Sequence, residues 1–205
     1  QNYISKGIVL DKLIESLIIS DIDINDIIVG DKNALLIASR VLGYGKDYTF
    51  RGFSKIEGGL KDFEVDLTTL KDKILSKKDL KEEGINQFDF ILPATKTSIT
   101  FKLITHKDEK NIEKEIAGQN KIRPGSNPEI TTRLKYVITS IEGDSEKKTI
   151  REFVDKQILA KDSRALREEI VRISPDVILK HHGEDGEEDV AIPINLTFFW
   201  PDARI

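Results

Sequence analysis

The side chains best suited to chemistry gather in one stretch: His181-His182, followed by Glu184, Asp185, Glu187, Glu188 and Asp189. Imidazole nitrogens and carboxylate oxygens are zinc ligands, and a metal-bound water among them would make a metal-assisted hydrolase. Adjacent strand residues point to opposite faces, however, so the two imidazoles would converge on one ion only across a bulge. A solvated hairpin tip, with no metal and no cofactor, is the preferred reading. Asp21-Ile-Asp23-Ile-Asn25 imitates the opening of a calcium loop, but Asp26 stands at the glycine position and Lys32 where the bidentate Glu belongs. Gly43-Tyr-Gly45 lacks the third glycine of a dinucleotide loop and follows a helix, so it is read as a helix stop. The sequence contains no G-x-x-x-x-G-K-[ST], G-x-S-x-G or H-E-x-x-H, and no catalytic residue is assigned.

Two further groups point to binding. Arg164 and Arg167, in D-S-R-A-L-R, lie three apart on one helix face, where they can pair with Asp162 or Glu168 or meet carboxylates of a partner. Phe199, Trp200 and Asp202 close the run Val190–Asp202, V-A-I-P-I-N-L-T-F-F-W-P-D. Within it Val190, Ile192, Ile194, Leu196, Phe198 and Trp200 recur with period two, the pattern of a strand with one face on a core. Pro193 lacks a ladder donor and moves that strand toward an edge or a bulge. Phe199 falls on the opposite face, so Phe199, Trp200 and Asp202 are the expected docking tip.

The composition bounds the alternatives. A chain of 205 residues, 39% apolar and 33% charged, can bury a core as one large domain or two small ones. Its 32 basic and 36 acidic residues are interspersed, for a net charge of -4, which gives no footprint for nucleic acid or a membrane surface. With no cysteine there is no disulfide, thiol nucleophile or thiolate metal site. No run approaches a membrane span and no signal-peptide pattern opens the sequence.

The elements that must position these residues read in order. Gly7 to Ser20 has a broad apolar stripe of a helix, and Asp31 caps a second whose apolar residues spread round it, so that it is expected to be buried on most sides. Tyr48–Phe53 and Phe63–Leu67 form a hairpin, Lys71–Glu83 a short helix or solvated loop, and Phe88–Leu92 with Ile99–Ile104 a second hairpin. Thr105 caps a charged helix to about Ile116, with Asp108 completing a capping box. Ala117–Pro128, rich in Gly and Pro, is a linker or a mobile loop. Helices follow over Ile130–Ile141, after a Ser145 cap, and after an Asp162 cap with a stop at Pro175. Val177–Lys180 pairs with the run opening at Val190 as the third hairpin. The expectation is an α+β fold with a helical core and three β-hairpins, divided into residues 1–117, a loop or linker at 118–128, and residues 129–205. The helices at Asp31 and Asp162 both begin D-x-x-A-L and both precede a hairpin, suggesting duplication of a helix-plus-hairpin unit. The shorter first copy, and a start at Gln1 in a chain without methionine, imply that ~40 residues precede it.

Four stretches resemble the baseplate hub assembly proteins of T-even-type contractile-tailed phages: Val29 to Gly45 (V-G-D-K-N-A-L-L-I-A-S-R-V-L-G-Y-G), Ile130 to Gly143 (I-T-T-R-L-K-Y-V-I-T-S-I-E-G), Phe153 to Arg167 (F-V-D-K-Q-I-L-A-K-D-S-R-A-L-R) and Pro193 to Asp202 (P-I-N-L-T-F-F-W-P-D). The resemblance implies a phage protein of the host bacterial cytoplasm that helps build the central hub of the tail baseplate. Its partners would be the hub proteins, and its nearest relatives include an assembly catalyst that does not remain in the particle. A permanent structural subunit of the hub is the alternative. Several relatives carry C-x-x-C pairs at hairpin tips that resemble zinc ribbons, whereas the tips here, near Arg51–Gly59 and His181–Asp189, carry none. The first hairpin must then be held by apolar cross-strand pairs, Phe63 or Val65 against Tyr48 or Phe50.

Overall fold

The computed structural model describes residues 8–56, 58–80, 82, 84–125, 127–182 and 189–200. The fold is α+β: helices alternate with several small antiparallel sheets. Among the described residues no helix is long and apolar enough to cross a membrane. The chain forms two compact units, one from Gln1–Ile24, Gly30–Lys73 and Asp176–Ile205, the other from Asn25–Val29 and Ile74–Pro175. The division expected at 118–128 does not coincide with this one. Residues up to Ile122 continue a helix in place of the expected linker, and the C-terminal hairpin belongs to the first unit.

The first unit starts with α1 (Ile8–Leu17) and α2 (Val29–Tyr44). Asp11 of α1 accepts a hydrogen bond from Lys32 of α2 at 2.6 Å, a partly buried ion pair between the helices. Helix α2 buries Leu36, Ile37 and Arg40 but leaves Leu35, Ala38 and Leu42 exposed, so it has one core face and is not covered on most sides. It ends at Tyr44, one residue beyond the stop expected at Gly43, and Gly45 follows with a φ of 88° that suits glycine. Strands β1 (Asp47–Ser54) and β2 (Gly59–Asp66) pair in antiparallel register with Phe50 opposite Phe63 and Tyr48 opposite Val65, which decides between the cross-strand pairings left open by the sequence. Alternation is clean, with Tyr48, Phe50, Phe63 and Val65 all buried. Two-residue β3 (Asp72–Lys73) pairs with β7 (Asp176–Val177), and β8 (Lys180–His181) with β9 (Val190–Ala191).

The second unit has a three-stranded sheet, β4 (Phe88–Ile91), β5 (Ser98–Phe101) and β6 (Ile138–Ile141), under α3 (His106–Ile122), α4 (Glu129–Val137), α5 (Lys147–Lys156) and α6 (Ala160–Ile173). Its core joins Phe88, Leu92, Ile99, Phe101 and Leu103 to Leu134, Val137, Ile150, Phe153, Val154, Leu166 and Ile173. The expected helix over Ile130–Ile141 is split: Ile138-Thr-Ser-Ile completes the sheet because two β-branched residues in succession after Val137 favour the extended form. Thr105 and Asp108 form the capping box as expected.

Asp162 does not cap its helix. Leu159 is the N-cap, and the carboxylate of Asp162, fully buried in the first turn of α6, accepts the backbone N–H groups of Ala94 and Thr95 at 2.7 and 3.1 Å. The turn between β4 and β5 is thereby fixed, with Lys96 at φ 62°. Desolvation pushes the Asp162 carboxyl up, and the amides of Ala94 and Thr95, with the Thr95 hydroxyl, outweigh it, leaving the group below the ordinary carboxylate range. A depressed folded value means that the contribution to stability is complete above the unfolded value of about 4 and is lost as pH falls through the folded one. Asp162→Asn is expected to lower urea-unfolding stability at pH 7, with the deficit shrinking toward pH 3. A deficit independent of pH would assign the effect to packing.

Candidate functional site

The residues singled out at the C-terminus are reorganised by the fold. Only Val190–Ala191 of the expected long strand is extended; Leu196–Phe199 forms a helical turn, α7. The reason is local. Pro193 cannot donate to a ladder, and the Asn195 side chain accepts the Thr197 N–H at 3.0 Å and its hydroxyl at 2.6 Å, while Phe198 N–H bonds the Asn195 carbonyl. This Asx arrangement starts a helical turn and abolishes the period-two geometry. Phe198 and Phe199 are therefore both core residues, 0% and 3% exposed, and Phe199 does not stand out from the surface as the expected tip does. Trp200 is 37% exposed with its ring 6.0 Å from that of Phe199, and Asp202 lies outside the described residues.

Around this turn the first unit builds an aromatic column. Phe198 meets Tyr48 edge to face at 4.7 Å, Tyr48 stacks on Phe50 at 5.8 Å, and Phe50 stacks on Phe63 at 5.6 Å. His181 closes the column against Phe63 at 5.5 Å. Arg40 is 7% exposed, its guanidinium 4.7 Å from the ring centre of Tyr44, 5.7 Å from Tyr48 and 5.9 Å from Phe198. Its Nε and Nη1 have no hydrogen-bond partner among the described residues, so ring faces supply its stabilisation. Burial raises the Tyr48 phenol, against a Thr197 hydrogen bond and the Arg40 charge. Sequence reading missed Arg40, although its place four residues from both Leu36 and Tyr44 puts it on the core face.

The two histidines diverge. His181 turns to the aromatic column, while the exposed His182 bonds Asp189 through Nδ1 at 2.6 Å. That bond is the main cause holding the Asp189 carboxyl below its ordinary range. Both histidines line a cleft of about 250 Å³ with Glu64 and Asp66, but Asp66 is engaged by Lys46 and by Thr68, which hold it at about 2. Among the described residues no three His, Asp or Glu side chains are grouped to hold a metal ion. Glu184, Asp185, Glu187 and Glu188 lie outside the described residues. Arg164 and Arg167 belong to the second unit: Arg164 pairs with Glu168 at 2.8 Å and Arg167 Nε donates to the Ser163 carbonyl at 3.3 Å, the intrahelical option.

The hairpin end of this unit also leaves apolar side chains exposed. Phe53 and Leu60 lie directly opposite one another on the solvent face, 57% and 65% exposed, with Ile56 beyond them at 61%. Beside them Gly52–Lys55 and Asp189–Ala191 border a groove of about 320 Å³. An exposed apolar cross-strand pair flanked by a groove is suited to binding a protein surface. Comparison of the chain with family models, curated proteins and solved structures finds no match.

Phe199→Ala is expected to cost about as much as Phe198→Ala, roughly 3–5 kcal/mol each in chemical denaturation. A neutral Phe199→Ala would show that the side chain packs on nothing. A Cβ added at Gly52 would lie 2.7 Å from Val190 Cγ1 and 3.1 Å from the Phe63 ring. Gly52→Ala should therefore destabilise by roughly 1–3 kcal/mol, measured in the same way, since a β-branched neighbour cannot step aside.

Proposed function

We propose that the chain is a non-enzymatic assembly factor that binds components of the central hub of a contractile phage-tail baseplate, in the cytoplasm of the host bacterium. The resemblance of four stretches to hub assembly proteins supports the system. The exposed Phe53–Leu60 pair, with Ile56, is the observation that carries a binding role. Large apolar side chains placed opposite one another on the outer face of a hairpin leave apolar surface in water unless a partner covers it.

The mechanism is mass action. A factor that binds an incomplete hub better than a finished one stabilises the intermediate and leaves on completion. The Phe53→Ser, Leu60→Ser double variant should keep its unfolding midpoint, because both positions are exposed and such changes cost within about 0.5 kcal/mol. It should lose co-purification with co-expressed hub proteins. Undiminished co-purification would move the docking surface elsewhere, and recovery of the chain from purified tails would make it a permanent subunit.

A further inference from the structure

In the second unit, α3, α4, β6 and α5 border a cleft of about 410 Å³ in whose lining cations outnumber carboxylates. Lys102, Lys107, Lys135, Lys147 and Arg151 line it, against a single carboxylate, Asp108. Three of these cations have intramolecular partners: Lys102 with Asp108 at 2.6 Å, Lys135 with Asp155 at 2.7 Å, and Arg151 with Glu115. Lys107 and Lys147 have none among the described residues, nor do the Asn111 amide and the Ser145 hydroxyl that line the same space. Thr139, also in the lining, has its hydroxyl oxygen buried without a partner. Buried hydroxyls are ordinarily satisfied, so this one marks a place where an acceptor is lacking.

We propose that this cleft binds a compact, multiply charged oxyanion through a phosphoryl group. Two uncommitted ammonium groups, an amide and two hydroxyls supply donors to an acceptor-only ligand, and the volume is that of a small-molecule site. A phosphoryl group fits better than a carboxylate because the arginine that could grip a carboxylate with a fork is already used. Arg151 Nη1 and Nη2 bond the two oxygens of Glu115 at 2.9 and 2.7 Å. Lysines act as point charges and need no planar acceptor, which suits a tetrahedral oxyanion. The same Glu115 accepts the Tyr136 hydroxyl at 3.1 Å, so the wall behind the site is tied together before any ligand arrives.

Calorimetric titration of the full chain with sodium pyrophosphate, against sodium chloride at equal ionic strength, tests this site. One-to-one binding of pyrophosphate is expected. The Lys107→Gln, Lys147→Gln double variant, whose replaced side chains are exposed and whose fold is checked by circular dichroism, should bind about tenfold more weakly or worse. Thr139→Val should also weaken binding while leaving the ligand-free protein as stable as before. The proposal is overturned if chloride reproduces the heat, if the double variant binds like the parent, or if citrate binds and pyrophosphate does not. None of these outcomes depends on the hub-assembly reading, which is tested by co-purification.

Discussion

Small sheets govern this structure. Strands of two to four residues, and an isolated two-stranded hairpin, are marginal in water without something packed on them. In the second unit a carboxylate supplies the link: Asp162, carried into the interior by α6, takes the two amides at the tip of β4–β5. Burying that charge is tolerable because the amides satisfy it, and the bond then fixes where the helical layer meets the sheet. Leu92 and Leu166, both fully buried in the same core, pack within that arrangement.

The first unit solves the same difficulty with rings. Its longest hairpin turns Tyr48, Phe50, Phe63 and Val65 inward, and the α7 turn covers them with Phe198 and Phe199. Close approach of β9 at Gly52 requires the absence of a side chain there, which is why Val190 can sit within 2.7 Å of where a Cβ would be. Arg40 is held by the rings of Tyr44, Tyr48 and Phe198 in a place where an aliphatic side chain would be the common choice.

Two unlike surfaces result. The hairpin end exposes apolar area, and the α3–α5 cleft holds uncommitted hydrogen-bond donors. The histidine pair is divided between a ring contact and a surface hydrogen bond, with His181 the last residue of β8 and His182 just beyond it.

Local rules were sufficient for much of the chain. The shared inward face of Tyr48, Phe50, Phe63 and Val65 follows from period-two alternation, the Thr105–Asp108 box from capping chemistry, and the α+β class from the order of helical and strand patterns. What sequence by itself determined, then, were features set by neighbours a few residues apart. Tertiary structure decided the rest. Asp162 and Thr105 both stand near the start of a helix, yet only Thr105 caps, since Asp162 finds two amides 67 and 68 residues away that no local pattern can announce. The alternation of Val190–Trp200 pointed to a strand, and the Asn195 turn with burial of Phe199 overrode it. The uncommitted donors of the cleft come from α3, β6 and the start of α5, and only packing brings them to one space. Hydrogen bonding within a turn is written in adjacent residues; convergence of distant side chains depends on how the core closes.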